Sequence, residues 1–464
     1  MSAETPLPPE PTAALVQKYD RPGPRYTSYP TVPVWTDGFQ DQAWLEALAE
    51  ADRREEDRLA LYLHLPFCRH RCLFCACNVV ITQREDVVEA YLARLEQEIR
   101  RTAERLPNRR RVSGVHWGGG TPTHLSVQQM ERLWSCLQEH FQIDHEGEIA
   151  IEVHPPVTTP EQLQCLRSLG FRRISLGVQD LDTGVQEIIE RWQSVEQTES
   201  LLALSRELGF ESANFDLIYG LPGQSPQTWD FTLDQVLRMR PDRLAIYSYA
   251  KVPWIKPHQK RMAEDLLPDP EVKMSLFRHA RRRLLAGGYQ EIGMDHFALP
   301  GDELARAVQN RKLYRNFMGY TVRPAKDYIG FGASSISEVG CNFAQKYGKL
   351  NRWNQSIDDD GHAIERGFRL SPEDLVRKTI IERLMCNLFV DFREVENFLS
   401  SSFQEHFQFI WEPLKEMEED GLLEIGHDSL QVTALGRTLV RNIAMLFDAY
   451  LQPASNKALF SRTV

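Results

Sequence analysis

Six short apolar runs, each followed by a helical or polar segment, constrain this 464-residue chain more than any other feature. The runs cover residues 59–65, 112–117, 148–153, 172–178, 212–218 and 243–249, and the clearest amphipathic helices between them cover 87–105, 126–141 and 226–239. Ser126 stands where the second of these needs an N-cap. Parallel strands need a long crossover between them, and a helix supplies it. The pattern therefore predicts an α/β fold with a parallel sheet curled into part of a barrel. Such barrels gather their chemistry at the carboxyl ends of the strands. A cysteine-rich loop follows the first run and Gly118-Gly119-Gly120-Thr121 the second. Glu152 ends the third, Gln179-Asp180 the fourth, Asp216 lies in the fifth, and Tyr249-Ala250-Lys251 close the sixth.

Four of the eight cysteines sit in the first loop, with Cys68, Cys72 and Cys75 spaced CxxxCxxC and Cys77 close behind. Residues 1–11 are polar and proline-rich without a signal-peptide core, so crowded thiols point to metal binding rather than disulfides. Soft sulfur ligands select zinc, copper(I) or iron-sulfur clusters. A structural zinc site pairs two hooks, and no second hook follows here, so zinc is the weaker reading. Three cysteines on one loop can instead hold three corners of a [4Fe-4S] cluster, leaving one iron open to a chelating substrate. Cys77, separated from Cys75 by a single residue, has a strained reach to the fourth corner. Cys136, Cys165, Cys341 and Cys386 are scattered among apolar neighbours and are expected to be buried thiols rather than ligands.

The triple glycine lacks the spacing and lysine of a phosphate loop. Without Cβ atoms it lets a ligand lie against bare backbone. Carboxylates such as Glu152 and Asp216 suit hydroxyl or ammonium groups, and Arg191 suits a carboxylate through its forked donors. A net charge of -11 argues against nucleic-acid binding by bulk electrostatics, and no apolar run is long enough for a membrane span. The expected location is the cytoplasm.

Four parts are expected: an N-terminal arm and helix over 1–57, a barrel over 58–255, an extension over 256–370 and a helical domain over 371–464. Within the first part, residues 1–11 read as disordered, 15–35 as an extended strap, and 41–57 as a helix. Residues 311–324 mix four cations with aromatics, a composition suited to a flat aromatic ligand bearing carboxylates. Residues 330–336 read as a tight turn near the rim. In the last part, helices are expected over 372–388 and 392–417, the second broken near 400–402, with a hairpin over 421–432 and a final helix over 434–451. This order resembles a winged helix, but nine Lys/Arg against fifteen Asp/Glu give -6 and argue against DNA.

The CxxxCxxC loop, with Phe74 before its third cysteine, resembles that of the radical S-adenosylmethionine (SAM) enzymes. Within them the chain is similar to the oxygen-independent coproporphyrinogen III oxidases. The similarity rests on Gly-Pro-Arg-Tyr-Thr-Ser-Tyr-Pro-Thr at 23–31, His-Trp-Gly-Gly-Gly-Thr-Pro-Thr at 116–123, Gly-Val-Gln-Asp at 177–180 and Asp-Leu-Ile-Tyr-Gly-Leu-Pro at 216–222. Gly-Met-Asp-His-Phe-Ala at 293–298, Arg-Asn-Phe-Met-Gly-Tyr-Thr at 315–321 and Phe-Ser-Arg at 460–462 extend it almost end to end. The strap favours the oxidase branch over shorter haem-chaperone relatives.

The resemblance implies a partial (β/α)6 barrel of the radical SAM type, with a [4Fe-4S] cluster on Cys68, Cys72 and Cys75 but not Cys77. It implies that Tyr62, Phe74, Gly119, Gly120, Thr121, Glu152, Gln179, Arg191, Asp216, Ala250 and Ile336 surround S-adenosylmethionine, with Tyr62 also in a catalytic role. The implied reaction is radical decarboxylation of two propionates of coproporphyrinogen III to vinyls, giving protoporphyrinogen IX. A monomer is expected, fed by an electron donor such as flavodoxin or ferredoxin. The chain departs from the family pattern at Ala76, at His154-Pro155-Pro156 where Asp-Pro-Arg is common, and at Met318 where glutamine is. Two alternatives stand beside the oxidase: a radical SAM haem- or porphyrin-modifying enzyme, by methyl transfer or ring opening, and a non-catalytic haem carrier.

Overall fold

The computed structural model describes residues 9–451, 460, 462 and 463. The chain forms two compact units. The larger comprises Thr36–Gly287 and Ala325–Arg369; the smaller comprises Met1–Trp35, Gly288–Pro324 and Leu370–Val464.

In the larger unit, the six predicted strands are β1 (Leu59–Leu65), β2 (Arg111–Gly119), β3 (Gln142–Val153), β4 (Arg173–Gln179), β5 (Ser212–Tyr219) and β6 (Arg243–Ser248). Four more follow: β7 (Asp327–Phe331), β8 (Ile336–Val339), β9 (Asn342–Lys346) and β10 (Ile364–Arg369). They lie in the order β10-β9-β8-β7-β1-β2-β3-β4-β5-β6. Strands β7 and β1 to β6 are parallel, whereas β8, β9 and β10 continue the sheet antiparallel. Among the described residues β6 does not pair with β1, so the sheet curls without closing, as a partial (β/α)6 barrel does.

Strand β1 is buried at nearly every position because parallel strands are covered on both faces. Crossover helices begin on well-formed caps: Ser126, Thr159, Ser194 and Ser225 each make a reciprocal capping box. The helix expected over 41–57 ends at Asp52, where the buried series Trp44, Ala47, Leu48 and Ala51 runs out. Gly330 and Phe331 are strand rather than turn, and the turn is confined to the residues before β8. Its parallel partner β1 lies far back in the chain, so β7 has no local signature.

Buried charges tie the late strands to the barrel. Arg109 and Asp327, both almost fully buried, form an ion pair at the start of β7, and Arg54 reaches the same carboxylate at 2.6 Å. Lys346 of β9 pairs with Glu98 at 2.7 Å, and Glu98 also accepts the Gly332 amide at 2.8 Å. Each pair compensates a charge that burial alone would penalise by several kcal/mol, of order 3–5 if one partner were lost.

In the smaller unit the strap packs, beginning with a helix over Ala13–Tyr19 that the proline-based reading did not anticipate. Tyr19, Tyr26 and Tyr29 are buried against Ile380, Leu384, Phe403 and Phe447. Asn442 donates to the Tyr19 carbonyl at 2.6 Å, Arg441 to the Pro24 carbonyl at 2.9 Å, and Tyr26 to Asp448 at 2.9 Å. The helix over Pro372–Asn387 and the hairpin of Leu423–Ile425 with Ser429–Val432 match expectation. The final helix is shorter, a 3-10 turn over Gly436–Leu439 leading into Val440–Met445. The reading of 1–11 as disordered falls largely on residues 1–8, and Ser461 of the terminal motif is likewise outside the described residues.

Candidate active site and cofactor cavity

The alternation of strand side chains builds a polar layer inside the barrel. Tyr62 and His64 share one face of β1, and register sets Tyr62 beside His116 of β2. Their rings stack with centroids 5.8 Å apart, and the Tyr62 hydroxyl lies 3.1 Å from His64 Nδ1. Next come Glu152 beside Ser175, Ser175 beside Asn214, and Gly177 beside Asp216.

Glu152 faces the cavity with 42% of its side chain accessible. One carboxylate oxygen lies 3.3 Å from His116 Nε2, and the other accepts the Gly119 amide at 3.0 Å. Burial acts to raise its pKa, but the His116 contact and the Gly119 amide outweigh it, so Glu152 is held below the usual carboxylate range. Asp216 accepts from the Ser175 hydroxyl at 2.9 Å and the Asn214 amide at 3.0 Å. Burial, reinforced by the Glu152 charge, pushes it up to about 6. Two carboxylates with pKa values driven apart mark an electrostatically tuned pocket.

The glycines at the end of β2 serve packing more than bare-backbone access. A Cβ on Gly118 would lie 2.8 Å from the Glu152 carboxylate, and one on Gly120 would lie 2.5 Å from the Pro66 backbone. Gly119 adopts φ +114°, with the His64 ring where a side chain would go. The amides of Gly119, Gly120 and Thr121 are committed to Glu152, Leu65 and Phe67.

The cysteine loop is held by its neighbours. Leu73 donates to the Ile189 carbonyl at 2.9 Å and Thr82 to the Cys68 carbonyl at 3.1 Å. Residues after β6 clamp it from the other side: Lys256 donates to the Cys77 carbonyl at 3.0 Å, His258 Nε2 lies 2.8 Å from the Cys75 carbonyl, and Gln259 donates to the Phe74 carbonyl at 2.9 Å. Cys68 Sγ is 3.5 Å from the Thr121 hydroxyl, and Arg191 Nη1 is 3.6 Å from Cys72 Sγ. The Cys77 thiol hydrogen-bonds Cys75, drawing Cys75 down to about 6 and raising its own pKa.

One cavity of about 590 Å³ is lined by Cys68, Cys72, Cys75, Phe74, Gly119, Gly120, Thr121, Glu152, Gln179, Arg191, Asp216 and Ala250. Tyr62 and Ile336 are not among its lining residues: Tyr62 lies in the layer bounded by His64 and His116, and Ile336 begins β8. Gln179 sits at φ +68°, a strained conformation for a residue with a side chain, where the strand turns toward the rim. His154 lines the cavity as a neutral imidazole, since burial, aided by Arg191, lowers its pKa to about 2. Sequence reasoning missed His64, His116, Ser175, Asn214 and the clamp over 256–259. The first four carry a signal, polar residues at alternate positions of otherwise apolar strands; the clamp carries none.

The donor set fits an iron-sulfur cluster with a charged organic ligand. Among the described residues no three His, Cys, Asp or Glu side chains close around a single ion. Cluster ligands bind separate irons and stand further apart. Arg191 Nε is buried without a hydrogen-bond partner, a donor left for a ligand.

The family model for the Radical SAM superfamily matches residues 62–236, and that for the HemN C-terminal domain matches 370–439. The oxygen-independent coproporphyrinogen III oxidase of Salmonella typhimurium is 43% identical over 451 residues, spanning 97% of this chain and 98% of the relative. The chain belongs to the oxygen-independent coproporphyrinogen III oxidase family. The Pseudomonas aeruginosa oxidase is 40% identical over 454 residues, covering 97% of this chain and 98% of its own. The solved structure of coproporphyrinogen III oxidase (HemN) from Escherichia coli, described as a radical SAM enzyme, superposes with a TM-score of 0.89 at 42% identity. That match covers 92% of this chain and 98% of the E. coli oxidase, so the family likeness includes both units.

Proposed function

We propose that this chain converts coproporphyrinogen III to protoporphyrinogen IX without oxygen, as a radical SAM enzyme of haem biosynthesis using a [4Fe-4S] cluster and S-adenosylmethionine. The observation that carries this reading is the convergence of a CxxxCxxC loop and two tuned carboxylates on one cavity, in a chain 43% identical end to end with a named oxidase. Held by the cysteine loop and the cavity walls, the two cofactors would supply a carbon-centred radical able to take a hydrogen atom from a propionate β-carbon, and loss of CO₂ with transfer of one electron to an external acceptor would leave a vinyl group.

In this reading Cys68, Cys72 and Cys75 hold the cluster, and Cys77 stays protonated as a hydrogen-bond donor to Cys75. Glu152 and Asp216 take the ribose hydroxyls and ammonium of S-adenosylmethionine, while Arg191 takes its carboxylate. Thr121, Gly119 and Gly120 face the methionine portion; Phe74, Gln179 and Ala250 complete the walls. Tyr62 acts from beneath, with His64 beside its hydroxyl, and Ile336, at the start of β8 and outside the cavity lining, is assigned by the family resemblance alone. The enzyme works as a cytoplasmic monomer reduced by a flavodoxin or ferredoxin. Among the described residues no helix is long and apolar enough to cross a membrane.

The deciding experiment is an anaerobic assay of the iron-reconstituted, reduced protein with S-adenosylmethionine and coproporphyrinogen III, with products followed by mass spectrometry. Two CO₂ losses with matching 5′-deoxyadenosine are expected. Deoxyadenosine without decarboxylation would mean that another porphyrin is the substrate.

A further inference from the structure

Beyond the mouth of the cofactor cavity, which Arg71 and Trp192 also line, the cysteine loop borders an exposed surface. Trp192, Trp254 and Ile255 are 58%, 63% and 62% exposed, and large apolar side chains grouped on a surface mark contact sites. They adjoin the loop directly: the Trp192 ring lies 5.5 Å from that of His70, and the segment carrying Trp254 and Ile255 runs into the Lys256 and His258 contacts with the Cys77 and Cys75 carbonyls. Arg71 and Lys256 are near enough to act on the His258 ring, and Lys260 is exposed in the same segment. None of these three cations enters an ion pair among the described residues. The neighbouring acid, Glu190, is already bound by Arg261 and faces His70 at 3.6 Å. This is a cationic, aromatic rim on a chain whose net charge is -11.

We infer that the rim formed by Trp192, Trp254, Ile255, Arg71, Lys256 and Lys260 docks an acidic one-electron donor protein whose redox group lies at its own surface. The inference rests on the proposed cluster at Cys68, Cys72 and Cys75. An acidic partner would be repelled by most of this acidic chain, so a local cationic patch decides where it lands and how fast. Exposed tryptophans supply short-range contact in the small, transient interfaces that electron carriers make, about 1,200 Å² or less. In the encounter one electron would leave the donor's redox group, oxidising it, and reduce the proposed cluster on Cys68, Cys72 and Cys75 by one electron. No proton or atom crosses, and the Lys256, His258 and Gln259 contacts give a short path from rim to loop.

Reconstituted wild type and the Trp254→Ser/Lys260→Glu variant are compared in forming 5′-deoxyadenosine, once with dithionite and once with reduced flavodoxin. Dithionite needs no docking, so the variant should keep that rate within about twofold, while its flavodoxin-driven kcat/KM falls roughly tenfold or more and the wild-type rate falls with added salt. Equal flavodoxin-driven rates, or equal losses with both reductants, would overturn the proposal. A wild-type dimer that the variant dissociates would assign the rim to a second copy and overturn it as well. Absence of deoxyadenosine from wild type with dithionite would instead overturn the proposed function, and the docking inference with it.

Discussion

At the scale of single residues, the chemistry rests on placing like atoms in unlike surroundings. Cys75 and Cys77 are two positions apart, yet the hydrogen bond between them favours the thiolate on Cys75 and the thiol on Cys77. Cys72→Ser should therefore abolish S-adenosylmethionine cleavage, whereas Cys77→Ser should retain an assembled cluster, as read by iron and sulfide content and visible absorbance. Equal cluster loss in both would refute the ligand assignment. Asp216 makes a second case. Its carboxyl is pushed up to about 6, so it is largely protonated at pH 5 and ionised at pH 7. Only the ionised form attracts a cationic ligand, so S-adenosylmethionine affinity should rise across that interval and level off above it. Asp216→Asn should flatten the profile and weaken binding about tenfold or more, measured by calorimetry across pH.

At the scale of elements, register turns scattered polar residues into a layer. Tyr62 meets His116 because β1 and β2 are parallel and in register, and Glu152 finds room because Gly118 has no side chain. The late strand β7 is anchored by the buried Arg109–Asp327 pair. Arg109→Met should destabilise the larger unit by about 3 kcal/mol, the lower end for a stranded charge because Arg54 remains on Asp327. Adding Asp327→Leu should recover part of the loss in denaturant titrations. A double variant no more stable than Arg109→Met would show that the carboxylate is not what the guanidinium compensates.

At the scale of the whole molecule, the cysteine loop is held by protein contacts on both sides before any cluster is considered. This differs from small metal-dependent domains, in which binding supplies the folding energy. Oxidative removal of the cluster should leave far-ultraviolet circular dichroism essentially unchanged while eliminating deoxyadenosine formation, and wholesale loss of helix signal would contradict it. The smaller unit is built from three separated segments. Its cohesion depends on strap tyrosines that read in sequence as a packing arm, and their burial in the helical core bears that out.

The strand-helix order, the cysteine loop and the rim carboxylates were legible because each is written locally, in periodicity, spacing or position at a strand end. The sequence by itself thus determined the fold class, the place of the cysteine loop after the first strand and the family. Tertiary structure alone decided that β7 lies against β1, that His116 stacks on Tyr62 and meets Glu152, and that Lys256, His258 and Gln259 grip the loop. Each of these is a contact between segments far apart in the chain. Its partners are chosen by register and loop closure, which leave no pattern within either segment.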